Sequence, residues 1–289
     1  KERLNEYNKA RYRAIKQLIG DQKIEINLSK PNQTQKLDYK MEEQYTRAVS
    51  LLNGTLFDHQ KECVAWLLSM ENLSKGPHGG FLCDSVGMGK SLQIISTILG
   101  NVKKNTLIIV PKSIVTQWEK EIKKFAPSLT VFIYDGPDRT KNSNDLRNSD
   151  ITIAPYSLLT EELKMLHKIK WGRVVLDEGH EIRNPSSSKF KAACKLQTDI
   201  RWILSGTPVF NSMKDFVTLC VFIGISRNLV QCMTSKVKDL YILRRCKEDY
   251  RMLEIPECIF ENVELEMYHE EKKLYQYAFM DSQQTIKNI

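Results

Sequence analysis

The chain has 289 residues, 42% of them hydrophobic, and a formal net charge of +8 at pH 7. This length and apolar content predict one large globular domain or two smaller ones, and because no apolar run is long enough for a transmembrane helix, no membrane partner is expected. Its seven cysteines form no C-x-x-C pair, which argues against a zinc site or a disulfide framework and favours a reducing compartment. The positive charge favours nucleic acid only weakly, because many basic proteins simply carry solvated lysines.

Residues 1–45 are polar and rich in Lys, Arg, Glu, Asn and Gln, with Pro31 in a polar stretch. Helical spacing of apolar residues occurs only in the opening part, from Leu4 to Ile19. We therefore expect a partly helical extension with one or two peripheral helices and a flexible connection, which could contact the main domain or a protein partner.

Strand-like and helix-like segments alternate after Leu51. A helical run near Trp66 and a Gly/Pro/His-rich loop precede the first strand, and apolar runs then predict strands at 106–110, 130–134, 151–154, 174–177 and 202–205. Helix-like segments separate most of them, at 113–125, 157–167 and 188–195. This alternation predicts an α/β fold with a parallel sheet covered by helices on both faces, in which ligands bind at the carboxyl ends of the strands.

The segment F-L-C-D-S-V-G-M-G-K-S at 81–91 has the pattern of a strand, a glycine-rich turn and the start of a helix. Gly87 and Gly89 would let backbone N–H groups surround phosphate oxygens, while Lys90 meets the outer phosphates and the Ser91 hydroxyl meets Mg²⁺. Asp84 stands where the strict pattern G-x-x-x-x-G-K-[ST] has its first glycine. A plain Gly-Lys-Ser turn therefore remains the alternative.

A second strand, 174–177, ends in two adjacent carboxylates. Asp177 could hold Mg²⁺, usually through water, and Glu178 could polarise an attacking water. The alternative is an acidic turn after a buried strand. His180 follows closely and could act as a switch between nucleotide and substrate sites, although a lone histidine is more often structural.

The stretch S-G-T-P at 205–208 follows another predicted strand. The hydroxyls of Ser205 and Thr207 are suited to hydrogen bonds with the two carboxylates and His180. An ordinary turn is the alternative for this stretch considered alone.

Taken together, these motifs resemble the first RecA-like lobe of a Swi/Snf-family ATPase in helicase superfamily two. Seven pieces match in the family's order over roughly residues 51 to 268, and Asp84 is the residue that the family carries at its position. The pieces are LFDHQ at 56–60, DSVGMGKSLQ at 84–93, IIVPKS at 108–113 with QW at 117–118, IAPYS at 153–157, DEGHEIRN at 177–184, LSGTPVFN at 204–211 and LRR at 243–245.

The resemblance implies roles for the matching residues, with ATP and Mg²⁺ as cofactors. Lys90, Asp177 and Glu178 would be catalytic, Ser91 and Asp177 would hold the metal, and His180, Ser205 and Thr207 would couple the nucleotide site to DNA. Nucleotide contacts are implied for Gln60 (at the adenine edge), Asp84, Gly87, Met88, Gly89, Lys90 and Ser91. Nucleic-acid contacts are implied for Lys112, Ser113, Tyr156, Ser157, Arg183 and Asn184.

By this resemblance, 46–258 is the ATP-binding lobe and 259–289 begins a linker or second lobe, with Arg244 and Arg245 at the hinge. Such motors translocate on double-stranded DNA and read its backbone with little sequence preference. The implied function is therefore a DNA-dependent ATPase that remodels protein–DNA complexes and affects transcription. Hydrolysis by this stretch alone should be weak, because an arginine finger and a hinge partner are expected from the second lobe.

Some residues depart from the family pattern: Ser85-Val86 replace the usual Glu-Met, and Pro155 replaces a threonine before Tyr156. These departures and the short segment between Asn211 and Leu243 are compatible with a viral member. One alternative function is a degenerate ATPase acting as a DNA- or protein-docking transcriptional regulator, although Lys90, Asp177 and Glu178 are all present. Another is an RNA helicase, which the stretch after the acidic pair disfavours. A nuclear location follows only from the DNA partner.

Overall fold

The computed structural model describes residues 31–137, 139–140, 142–161, 163–206, 212–246, 261, 263–264 and 266–287. Two compact units divide the chain, Lys1–Arg251 and Met252–Ile289. In the described part of the second unit, one helix spans His269–Lys287. No helix among the described residues is both long and apolar enough to cross a bilayer.

Nine strands are described in the first unit. They are β1 (His78–Leu82), β2 (Thr106–Val110), β3 (Val131–Ile133), β4 (Ile151–Pro155), β5 (Lys170–Trp171), β6 (Arg173–Asp177), β7 (Gln197–Thr198), β8 (Ile200–Leu204) and β9 (Ile242–Leu243). Seven form one sheet in the order β3-β4-β2-β6-β8-β1-β9, and β5 pairs with β7 separately. Every described pairing is parallel, and β2, β4 and β6 are buried along their whole length. This confirms the predicted α/β parallel-sheet fold, since doubly covered parallel strands are continuously apolar.

The described helices of the first unit lie mostly between these strands, and two precede β1. They are α1 (Pro31–Leu51), α2 (Asp58–Glu71), α3 (Lys90–Gly100), α4 (Val115–Phe125), α5 (Ser143–Arg147), α6 (Leu158–Glu161), α7 (Leu163–His167), α8 (Ser188–Lys195), α9 (Met213–Ile223), α10 (Arg227–Cys232) and α11 (Thr234–Tyr241), followed in the second unit by α12 (His269–Lys287). The predicted helix at 113–125 begins with a 3₁₀ turn, Lys112–Ile114. The predicted helix at 157–167 corresponds to the helical segments α6 and α7, on either side of residue 162, which lies outside the described residues.

Helix α1 begins at Pro31 and agrees with the predicted partly helical extension, whereas the flexible connection stays a prediction. Proline is compatible with the first helical position, because the N–H that it lacks would have no partner within the helix. Ala48 is fully buried, and a Cβ placed on Gly100, the last residue of α3, would lie 2.6 Å from the Gln44 carbonyl oxygen. The end of α1 therefore packs directly on α3. Residues 1–30, including the predicted opening helix, lie outside the described residues.

A buried ion pair joins α2 to the centre of the sheet. The Arg173 guanidinium in β6 donates to both carboxylate oxygens of Glu71, at 2.5 Å each, and both side chains are fully buried. Glu71 also accepts hydrogen bonds from Asn101 Nδ2 at 2.6 Å and from Trp202 Nε1 at 2.9 Å. These additional donors satisfy the carboxylate, which a buried charge requires.

Strand β1 lies unusually close to β8. A Cβ on Gly79, whose φ is +116°, would lie 1.9 Å from the main-chain oxygen of Arg201. Only glycine fits such an approach. The contact fixes the position of β1, whose carboxyl end leads into the glycine-rich loop.

Candidate functional site

The glycine-rich loop connects β1 to α3 and has the backbone of a phosphate-binding turn. Gly87 and Gly89 have φ values of +86° and +83°, in the left-handed region that favours glycine. A Cβ on Gly89 would lie 2.4 Å from Gln60 Nε2, so no side chain fits there. The loop ends at the first turn of α3, whose free N–H groups and dipole favour an anion. This cradle fits a nucleotide's phosphates.

Lys90 is folded into this loop. Its Nζ donates to the main-chain oxygen of Asp84 at 2.8 Å, and the Ser85 oxygen lies 3.4 Å away. Burial lowers the pKa of Lys90, while Asp177, Asp84 and Glu178 act to raise it. The ammonium group is therefore held inside the loop, in the field of the acidic strand end. Ser91, the next residue, is half-buried at the start of α3.

Asp177 is the last residue of β6 and is largely shielded from solvent, with 9% of its surface exposed. Its Oδ2 accepts a hydrogen bond from Trp118 Nε1 at 2.8 Å, and its Oδ1 accepts one from the Glu178 N–H at 2.9 Å. Burial raises the pKa of Asp177, while the Trp118 hydrogen bond acts to lower it. The structure thus orients this carboxylate and favours its ionised form through Trp118, which belongs to the QW motif but had no role assigned from the sequence.

Glu178 has a left-handed backbone, with φ of +51°. This conformation is uncommon for a residue other than glycine and is typical of strained functional turns. Its Oε2 lies 3.3 Å from His180 Nδ1, so the predicted base and the predicted coupling histidine are neighbours.

Strand β8 brings its carboxyl end against the phosphate loop. Ser205 is fully buried, and its N–H donates to the main-chain oxygen of Leu82 at 3.2 Å. A Cβ on Gly206 would lie 2.5 Å from Val86 Cγ2 and 3.4 Å from Lys90 Nζ. Gly206 therefore allows this turn to approach the loop, a role that the sequence analysis did not assign to it. Thr207 lies outside the described residues.

Gln60 and its neighbour His59 support the loop from α2. Gln60 Oε1 accepts a hydrogen bond from the Phe57 N–H at 3.0 Å, and its Nε2 donates to the Met88 oxygen at 3.2 Å. His59 Nε2 also lies 3.2 Å from that oxygen. The contact of Gln60 with adenine stays a prediction, and the structure places its side chain beside the phosphate loop.

The Asp84 carboxylate is fully buried. It pairs with Arg245, whose Nε lies 3.1 Å from Asp84 Oδ1, and it lies 3.4 Å from Gln93 Nε2. Asp84 therefore supports the loop through its side chain. Its contact with nucleotide stays a prediction.

Five of the six predicted nucleic-acid residues lie at the surface, after β2, β4 and β6. Lys112 carries a largely exposed side chain, 3.4 Å from Asp135. The other four are exposed: Ser113, Ser157, Arg183 and Asn184. Since β4, β2 and β6 are neighbours in a parallel sheet, these residues follow the same edge.

Tyr156 differs from the other predicted nucleic-acid residues because its side chain is buried. Its hydroxyl donates to the main-chain oxygen of Asp177 at 2.8 Å, and burial, followed by the charge of Asp177, raises its pKa well above the ordinary value. The side chain therefore supports the acidic strand end from within the lobe. It also links that strand end to the exposed Ser157.

Among the residues that the structure describes, no group of three or more His, Cys, Asp or Glu side chains forms a cage for a metal ion. Mg²⁺ is usually bound by one or two protein oxygens together with substrate phosphates. The Asp177 carboxylate and the Ser91 hydroxyl are oxygen donors of the hard type that this ion prefers. The donor set fits Mg²⁺ delivered with a nucleotide.

Comparisons with known proteins agree with this geometry. The family described as SNF2-related domain matches residues 59–288. Transcription termination factor 2 of Drosophila melanogaster is 31% identical over 61% of this chain, and helicase SWR1 of Candida albicans is 33% identical over 66%. The chain spans 20% and 12% of the lengths of these two relatives, respectively.

A solved structure has the same architecture. The Sulfolobus solfataricus SWI2/SNF2 ATPase core in complex with dsDNA matches 83% of this chain and 55% of its own, with a TM-score of 0.62 and 27% identity. The agreement confirms the RecA-like fold and the resemblance based on the seven motifs. The chain therefore belongs to the SNF2-related domain family, in the Swi/Snf branch of helicase superfamily two.

Proposed function

We propose that this chain is the ATP-binding lobe of a DNA-dependent ATPase that remodels protein–DNA complexes. One observation carries the proposal: the Lys90 ammonium is held inside a glycine cradle after β1, at the same sheet edge as the Asp177–Glu178 pair after β6, and both carboxylates act to raise its pKa. An accidental Gly-Lys-Ser turn would not be expected to share a sheet edge with an acidic strand end. Family membership supports the same conclusion.

The proposed roles follow from position and chemistry. Lys90 binds the outer phosphates, exchanging its contacts with loop carbonyl oxygens for phosphate oxygens. Ser91 and Asp177 hold Mg²⁺, which when bound neutralises phosphate charge and orients the phosphates. Glu178 positions and polarises the attacking water. His180, at 3.3 Å from Glu178, passes changes at the acidic pair to the nucleic-acid edge.

Duplex DNA is the proposed nucleic acid. The DNA-bound state of the Sulfolobus solfataricus core supports it, as do the exposed hydroxyl and basic groups after β2, β4 and β6. Groups of this kind read phosphate and sugar without base specificity. Nuclear location, the viral assignment, the division at 46–258 and protein contacts through residues 1–45 stay predictions, as does the dependence of hydrolysis on a second lobe.

The proposal is tested by measuring ATP hydrolysis by the protein without nucleic acid, with duplex DNA and with RNA. Glu178→Gln is the matched blank, because it keeps the shape of the side chain and removes its basicity. We expect stimulation by duplex DNA that disappears in the variant. Weak turnover by the 289 residues is expected to rise when a second lobe is supplied.

Other outcomes would separate the alternatives. Stimulation by RNA in preference to duplex DNA would favour an RNA helicase, since the A-form duplex presents a different groove. Turnover equal to the Glu178→Gln blank with every nucleic acid, and with the second lobe present, would contradict an ATPase and favour a docking module.

A further inference from the structure

Arg245 lies beside the phosphate loop although it is 161 residues away from Asp84 in sequence. It follows β9, the edge strand that pairs with β1, and its side chain is only 10% exposed. This placement makes the arginine part of the wall behind the loop.

The guanidinium of Arg245 binds two segments of the nucleotide site at once. It forms a two-pronged ion pair with the fully buried Asp84 carboxylate, with Nε at 3.1 Å from Oδ1 and a second nitrogen on Oδ2. A further nitrogen donates to the main-chain oxygen of His59. His59 and its neighbour Gln60 both contact the Met88 oxygen of the loop. A planar, bidentate arginine–carboxylate pair holds the carboxylate in one orientation in addition to attracting its charge. A lysine at the same position cannot form this pair.

The main chain around Arg245 is also joined to the loop. The Cys83 N–H donates to the Leu243 oxygen at 2.7 Å, and the Ser85 N–H donates to the Arg245 oxygen at 3.0 Å. These bonds continue the β1–β9 pairing beyond the strands and into the first residues of the loop. Residues 243–245 therefore hold the loop by main-chain and side-chain bonds together.

We propose that Arg245 is the positioning residue of the phosphate loop, fixing Asp84 and the His59 carbonyl so that the Gly87–Gly89 cradle is preformed for phosphate. The arginine itself does not touch the phosphates. This inference rests on the proposed nucleotide site. It adds a dependence of nucleotide affinity on the segment that leaves the sheet after β9.

The chain offers a matched control for this proposal. Arg173 and Glu71 form another buried two-pronged arginine–carboxylate pair in the same unit, and none of their described contacts is with the loop. Arg173→Lys and Arg245→Lys make the same chemical change in comparable environments. Both should lower the melting temperature, but only Arg245→Lys should weaken nucleotide binding.

The test is calorimetric titration of the 289-residue chain with Mg²⁺-ADP, at a temperature where each protein is fully folded. We expect the dissociation constant of Arg245→Lys to rise about tenfold or more, as for other groups that hold a ligand-binding group in place, and that of Arg173→Lys to stay within about twofold. The double variant Asp84→Asn/Arg245→Met, which leaves no charge unpaired in this pair, should show the same loss.

Two results would overturn the proposal while leaving the nucleotide site intact. One is wild-type affinity in both loop variants. The other is an equal loss in Arg173→Lys, which would show that affinity follows general stability. No binding of Mg²⁺-ADP by the wild-type chain would instead overturn the nucleotide site itself, and this inference with it.

Discussion

At the scale of single residues, the site depends on side chains that hold other side chains. The roles of Lys90 and Asp177 can be predicted from the sequence, because glycine-rich loops and acidic strand ends have recognisable local sequence patterns. Trp118 and Arg245 also lie in matching motifs, but their contacts with Asp177 and Asp84 do not follow from those motifs, because these partners lie 59 and 161 residues away in sequence. Such contacts are created by the order of strands in the sheet, which a local pattern does not contain.

Trp118→Phe tests the support of the acidic strand end. The Trp118 N–H acts to lower the pKa of Asp177, which burial raises, so its loss should raise that pKa further. The ionised carboxylate that Mg²⁺ needs would then form only at higher pH. We expect the acidic limb of Mg²⁺-dependent ADP binding to move to higher pH, measured by titration across a pH series.

The same substitution should change the pH dependence of stability. Between the unfolded-state pKa of about 3.9 and the raised folded-state pKa, the native protein binds more protons than the unfolded chain. The free energy of unfolding therefore falls as pH rises through this window, and more so in Trp118→Phe. Trp171→Phe is the control, since the buried Trp171 donates to the Leu166 main-chain oxygen at 3.0 Å and not to a carboxylate. An identical pH shift in both variants would contradict this account.

At the scale of elements, the spacing of apolar residues predicts the longer buried strands and helices but does not reveal very short elements. The strand at 106–110 and the helix at 188–195 agree with the structure at both ends. The two-residue β9 is too short for any alternation to be visible. Apolar residues show no helical spacing over most of α1, because this helix is largely polar. Its contact with α3 was therefore not predicted.

The Glu71–Arg173 pair is the element-scale contact whose loss should be most costly. Arg173→Met leaves a fully buried carboxylate without its main partner, and breaking such a pair typically costs about 3 to 5 kcal/mol. We expect a loss of this order in the free energy of unfolding, measured by denaturant titration.

The control for this prediction is Lys123→Met, which removes the lysine of an exposed pair with Glu119 on α4. Exposed pairs contribute little, because solvent screens them and the side chains lose entropy. Similar losses in the two variants would show that the buried pair is not a stabilising link between α2 and β6.

At the scale of the whole molecule, the strand order explains why distant motifs form one site. The motifs that follow β1, β6 and β8 meet because these strands are neighbours, and the order β6-β8-β1 places the Ser205-Gly206 turn between the phosphate loop and the acidic strand end. The surface residues after β2 and β4 continue the same edge. The alternation of strands and helices in the sequence predicts that edge. The contact of Gly206 with the phosphate loop and the burial of the Tyr156 side chain are visible only in the structure.

The most direct test of the central claim is whether the phosphate loop binds nucleotide through Lys90. Calorimetric titration with Mg²⁺-ATP would compare the wild-type chain with Lys90→Ala, with Lys123→Ala as a surface control. We predict one binding site per chain that is retained in Lys123→Ala and lost, or weakened at least about 100-fold (roughly 2.7 kcal/mol), in Lys90→Ala. Equal binding by wild type and Lys90→Ala, or no binding by the wild-type chain, would contradict the account.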